Sequence, residues 1–254
     1  MGVGHAHVLY VHEHSPVHRL APVVKVAAVL VFVVAVAVTP REAIAAFALY
    51  AAMVLGIVIL SRIPIGFLLV RLAGVLPFIL FAFLIPFIGT GDRIDLLWFT
   101  VSRDGLWAAW NIVVKAGIGA SASIALVATT EITDILKGMS ALRVPAVVVS
   151  IAGFMVRYLE LIVDELGRMR MAMTARGHDP RWLWQVRPIA TGAGAMFVRS
   201  YERGERVHAA MTSRGFTGEM PVLVEATPRW WVWAVAMTLP AAAVVVALVA
   251  VATR

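Results

Sequence analysis

No cysteine occurs in this chain of 254 residues. Disulfides, thiolate zinc sites and a cysteine nucleophile are thereby excluded. Charge is scarce as well: Asp, Glu, Lys and Arg make up 15% of the residues, against about 25% in ordinary soluble domains. The string G-x-x-x-x-G-K-[ST] occurs nowhere, so no ATP-cradling phosphate loop is expected. The glycines between Thr191 and Phe197 lack the lysine and the strand that such a loop needs. H-E-x-x-H is absent too, because His12, Glu13 and His14 lack a second histidine four residues after the first. Residues 1–19 hold no apolar segment ahead of a small-residue cleavage site, so no cleavable signal peptide is expected.

What is abundant is apolar surface, at 61% of the residues. Crossing roughly 30 Å of hydrocarbon takes about 20 apolar residues. Ala43–Leu60, Leu72–Gly91 and Trp230–Thr253 approach or exceed that length without a lysine or arginine. Leu20–Thr39 and Gly105–Thr130 do so with one lysine each, Lys25 and Lys115. The composition therefore predicts an all-α polytopic membrane protein of about five transmembrane helices with a helical insertion. A tail at 1–19 precedes four spans within 20–130. A charged insertion occupies 131–228, and a last span occupies 229–254. Pro77 and Pro86 fall inside span three, where neighbouring helices can re-satisfy the freed carbonyls.

Basic residues set the orientation. The tail, the Ser61–Pro64 loop and the insertion up to Arg229 hold 15 of the 22 lysines and arginines; the opposite side holds Arg41, Arg93, Arg103 and Arg254. The basic side faces the cytoplasm, which places the N-terminus and the insertion inside. Trp230, Trp231 and Trp233 beside Arg229 read as an aromatic belt. The pI near 10.5 thus reports orientation and no nucleic-acid partner. In span four, Gly117, Ser121 and Ala125 recur every four residues and predict a centrally packed helix. Lys115 on that helix is either a functional intramembrane charge, a structural partner for an outer-loop acid such as Asp104, or a snorkelling cation.

Within the insertion, the 13 apolar residues Val144–Val156 are too few to span. They lead into an amphipathic helix. Leu159, Ile162, Leu166, Met169 and Met173 mark one face, and Arg157, Glu160, Asp164 and Arg168 mark the other. Asp164 and Arg168 stand in the favourable order for an i,i+4 ion pair. Gly177 predicts the left-handed cap that ends the helix, with Pro180 beyond it. A shift of 38 residues superposes Glu202 on Asp164, Arg206 on Arg168, Arg214 on Arg176 and Gly215 on Gly177. The string Ala-Met-Thr-x-Arg-Gly therefore occurs twice, ending in Ala175-Arg176-Gly177 and Ser213-Arg214-Gly215. One arginine in a last turn is explained by the helix dipole. Two copies of the string are not. An arginine at a helix tip anchors a partner's carboxylates through its planar fork.

This pair resembles the paired cytoplasmic helices of the transmembrane T component of energy-coupling factor (ECF) transporters. Ser15–Lys25 is similar to the family's lead-in to span one, in the version of its cobalt/nickel branch, CbiQ-like proteins. The run "TTEITDILKGMSALRVPAVV" is similar to a further family segment. The serine at 213, in place of alanine, is the one departure noted in the two motifs. The resemblance implies a non-catalytic subunit in the bacterial plasma membrane that serves two ATP-binding-cassette ATPases and a separate substrate-binding S component. It implies ATP and magnesium on the partners, no cofactor on this chain, and cobalt or nickel as the transported ion. Arg176 and Arg214 are then the docking residues, with Asp164, Arg168, Glu202 and Arg206 supporting them.

His5, His7, His12 and His14 either form a weak site that receives the ion or belong to a weakly basic terminus without ligand geometry. His18 belongs to the lead-in motif, where the resemblance implies a structural role. Four other functions compete, the last of them a membrane-embedded enzyme, against which it counts that no acid/base pair or metal triad falls inside the spans. A T component for a vitamin importer shares the paired helices but not the cobalt/nickel version of the lead-in. A conventional importer's permease has one coupling segment per chain and two copies of the chain. A secondary transporter places polar or broken helices at the midplane, for which only Lys115, Arg71 and the prolines speak.

Overall fold

The structure, a computed structural model, describes residues 15–88, 93–96, 99–177, 187–216, 218 and 228–253. Its helices are α1 (Pro22–Val38), α2 (Ile44–Leu60), α3 (Ile65–Leu72), α4 (Leu76–Ile88), α5 (Arg103–Thr129), α6 (Ile132–Ala141), α7 (Ala146–Ala175), α8 (Arg187–Thr212) and α9 (Trp230–Ala252). A 3₁₀ turn, Ala73–Val75, joins α3 to α4, so span three begins at Ile65 and not at Leu72. Pro77 therefore sits in the first turn of α4, where its missing N–H has no intrahelical partner to lose. The predicted loop between spans three and four contains a small antiparallel ribbon, β1 (Arg93–Leu96) and β2 (Phe99–Ser102), with Arg93 opposite Ser102. Four paired residues carry no core, and the protein remains an all-α membrane protein.

By length and composition, Ile65–Phe87, α5, α7 and α9 are long and apolar enough to cross a membrane. With 17 residues each, α1 and α2 are about 26 Å long, at the short end of the spanning range of roughly 17–25 residues. The apolar stretch of the insertion is thus part of one 30-residue helix, α7, apolar in its first half and charged in its second.

The chain divides into two compact units, one holding α1–α6 and α9, the other α7 and α8. In the first, α5 contacts α1, α2, α3 and α4. Its central position was expected, although the buried stripe is Ile118, Ala122 and Ala125. Nothing approaches Gly117 within 4 Å of where a Cβ would be. α6, counted with the insertion from the sequence, packs on α1, and a Cβ on Gly138 would lie 3.3 Å from the backbone of Pro22.

Tyr50 is completely buried at the heart of this unit. Its ring packs edge-on against Phe32 and Phe47. Its hydroxyl donates to the Ala243 carbonyl of α9 at 3.1 Å and meets Thr39 Oγ1 at 3.0 Å, tying α1, α2 and α9 together. Both lysines inside spans serve helix ends. Lys25 Nζ donates to the Thr129 carbonyl at the end of α5 (2.8 Å), and Lys115 Nζ donates to the Ala37 carbonyl at the end of α1 (2.7 Å). Lys115 is therefore a structural cation whose partner is a backbone oxygen. Asp104, the acid proposed for it, pairs with Arg41 at 3.4 Å.

Tyr50→Phe is expected to lower unfolding stability by about 1–3 kcal/mol. Gly105→Ala, whose Cβ would lie 2.8 Å from Pro86 Cα, is expected to cost about 1–3 kcal/mol through overpacking. Denaturant unfolding in detergent checks both.

Candidate functional site

In the second unit, α7 and α8 run antiparallel. Near the end of α7, Met169 and Met173 reach Gly192 near the start of α8. Farther back, Glu165 receives Arg199 at 3.0 Å and Arg203 at 3.5 Å. Phe154, Tyr158 and Ile162 line a notch with Ser200, Arg203 and Gly204 on the far part of α8. Glu165 is the fixed point of the pair: its side chain is only 12% exposed, and it accepts both guanidinium groups. A carboxylate sheltered to this degree and held by two charged donors is worth more than a surface ion pair.

The two Arg-Gly motifs end these helices in the same manner. Arg176 caps α7, its N–H reaching the Met173 carbonyl at 3.1 Å. Gly177 follows at φ +77°, and its N–H bonds to the Thr174 carbonyl at 2.9 Å. On α8, Arg214 is followed by Gly215 at φ +85°, whose N–H bonds to the Thr212 carbonyl at 3.0 Å. There the Phe216 N–H also closes on the Met211 carbonyl at 3.0 Å, which completes a Schellman cap. Glycine is needed because a Cβ in the left-handed region costs roughly 1–2 kcal/mol. Thr174 and Thr212 bond back to the carbonyls of Arg170 and His208, respectively, four residues earlier in each case.

Ala175, Arg176, Gly177, Ser213, Arg214 and Gly215 are all exposed. Because α7 and α8 are antiparallel, the two arginines sit at opposite ends of the pair. The 22 residue steps from Gly192, beside the end of α7, to Arg214, just past α8, separate them by about 33 Å along the axis. Each is a cation held at the tip of a rigid rod.

The supporting residues divide. Glu202 and Arg206 form the expected i,i+4 contact, at 3.9 Å. Asp164 and Arg168 do not pair; the acid that bridges is the adjacent Glu165, which faces α8. The 38-residue shift had a signal for this, since it sets Glu165 against Arg203. His5, His7, His12 and His14 lie outside the described residues. Among the described residues no group of three or more His, Asp or Glu side chains is placed to hold a metal.

Residues 13–226 match the CbiQ family, described as cobalt transport protein. A cobalt transport protein CbiQ of Rhodobacter capsulatus is 29% identical over 171 residues, which are 64% of this chain and 65% of that protein. An energy-coupling factor transporter transmembrane protein EcfT of Streptococcus thermophilus is 28% identical over 224 residues, covering 82% of this chain and 84% of its own length. The EcfT protein of Bacillus subtilis is 28% identical over 226 residues, with 82% and 83% covered.

Glu165→Gln keeps the side-chain shape and removes the charge. Introduced cysteines at Leu161 and Tyr201, both exposed, can carry spin labels without background in this cysteine-free chain. The substitution is expected to broaden the distance distribution between them; an unchanged distribution contradicts the bridging role.

Proposed function

This chain belongs to the CbiQ cobalt transport protein family, and from that premise we propose that it is the energy-coupling transmembrane subunit of an ATP-driven ECF-type importer for cobalt or nickel ions. In this reading the N-terminus and the α7–α8 unit are cytoplasmic. Two ATP-binding-cassette ATPases receive the arginine tips, and a separate S component in the membrane binds the ion. The subunit is non-catalytic; ATP and magnesium belong to the partners, and the ion is cargo.

The observation that carries the reading is the pair of matched helix ends, each presenting an exposed arginine locked ahead of a left-handed glycine. A guanidinium offers five donors in a fixed fork, suited to carboxylates and carbonyls in a groove. Seated arginines of this kind often cost about 2 kcal/mol or more on truncation. A rod that ends in such an anchor transmits displacement, because the cap fixes the arginine backbone relative to the helix axis. Glu165 then couples the rods: movement of one tip acts on the other through the charged bridge.

Two tips on one chain favour one copy of this subunit per ATPase pair, in contrast to the paired chains of a conventional importer's permease. The EcfT proteins align with more of this chain than the Rhodobacter capsulatus CbiQ protein does. That supports a second reading in which the coupling role is the same and the S component selects another substrate, such as a vitamin.

Arg176→Glu and Arg214→Glu are each expected to uncouple ATP hydrolysis from uptake while the subunit stays in the membrane, and the double variant is expected to lose the ATPases on purification. Undiminished copurification with the double variant contradicts docking through these residues.

A further inference from the structure

Two cavities meet at the end of the bundle that carries Ser15–Pro22 and the start of α6. One, of about 280 Å³, is polar and is lined by His18, Arg19, Lys25, Thr130, Glu131 and Asp134, among others. The other, of about 310 Å³, is apolar and lies between α1, α2, α5 and α9, with Phe32, Ile57, Leu126 and Ala236 in its wall. Leu20, Lys25 and Thr129 line both, so a polar cavity and an apolar one adjoin across these three residues. The geometry points to a built site for one zwitterionic phospholipid with a primary ammonium headgroup, its phosphate in the polar part and one acyl chain in the apolar part.

Several groups in the polar part favour a phosphate. The Thr130 hydroxyl is buried, with the residue 3% exposed, and has no hydrogen-bond partner. A buried hydroxyl left this way is unusual and costly. Lys25, 7% exposed, directs one of its three donors to the Thr129 carbonyl, and an ammonium has two more to give. Helix α6 starts at this point, and its N-cap, Glu131, makes no side-chain cap bond. The Asp134 amide already bonds to the Glu131 carbonyl at 3.0 Å, so the Ile132 and Thr133 amides are the donors at this positive end of the helix dipole.

The acids decide the headgroup. Asp134 is engaged by Lys137 at 2.8 Å. Glu131 has no ion-pair partner among the described residues and is half-buried beside the phosphate donors. An anionic headgroup alone leaves that carboxylate opposed by phosphate, whereas a headgroup ending in a primary ammonium satisfies it. The apolar cavity holds part of one chain, and the second chain stays in the bilayer.

The test is native mass spectrometry of the full chain with its copurifying subunits, extracted from nanodiscs of equimolar phosphatidylethanolamine and phosphatidylglycerol. One phosphatidylethanolamine is expected to remain bound at activation energies that strip all other lipid. Thr130→Val, which removes only the hydroxyl, is expected to lower that retention about five-fold. Ala236→Phe, which plugs the apolar part, is expected to reduce it to the level of the stripped lipids, with melting temperature in detergent monitored for both variants. Excess inorganic phosphate is expected to leave retention unchanged. Equal or tighter retention of phosphatidylglycerol, displacement of the lipid by inorganic phosphate, or wild-type retention by Ala236→Phe each overturns the assignment. So does wild-type protein that carries no retained lipid.

Discussion

The last turn of a helix leaves carbonyl oxygens without backbone donors, and hydrocarbon supplies none in exchange. Much of this molecule follows from how those oxygens are satisfied. Lys25 of α1 reaches the final carbonyl of α5, and Lys115 of α5 reaches a carbonyl in the last turn of α1. Two antiparallel helices therefore cap each other with cations, which also favour the negative ends of the dipoles. A lysine that looks misplaced within a span is thereby accounted for by its geometry. Tyr50 of α2 adds a third tie, joining the end of α1 through Thr39 to α9 through Ala243.

The loops of the bundle meet the same need with left-handed residues. Arg62 adopts φ +54° after α2, and the Ile63 N–H closes on the Val58 carbonyl at 3.2 Å. Arg143 adopts φ +62° after α6. In α7 and α8 the left-handed position belongs to glycine, and the arginine moves one residue back, into the cap itself. That one-residue difference relieves the strain and places each guanidinium on the helix end, not in the loop beyond it. Helix termination and the exposed cationic tip are the same structural event, and it occurs twice.

Much of this was legible beforehand. The spans follow from apolar length, and both helix stops from Gly177 and Gly215, because the physics of a left-handed cap selects glycine. The small-residue helix was recognisable as central, although Ile118, Ala122 and Ala125 form its buried stripe. Other features leave no local trace. The partner of Lys115 is a backbone oxygen, which has no residue type to signal it. Glu165 pairs across two helices, so i,i+4 spacing pointed one residue away, to Asp164. Arg62 and Arg143 occupy a conformation that sequence reasoning reserves for glycine or asparagine. The ribbon Arg93–Ser102 has four residues per strand, too few for its alternation to stand out beside so much apolar sequence.

The central claim is that both arginine tips meet ATPases on the cytoplasmic side. Because the chain has no cysteine, Ala175→Cys and Ser213→Cys each give a single, exposed reporter beside a tip. A membrane-impermeant thiol reagent should leave both unlabelled in intact cells, label them in inverted vesicles stripped of peripheral subunits, and be blocked once the ATPases are bound. Labelling of either position in intact cells would put the tips on the wrong side of the membrane and contradict the account.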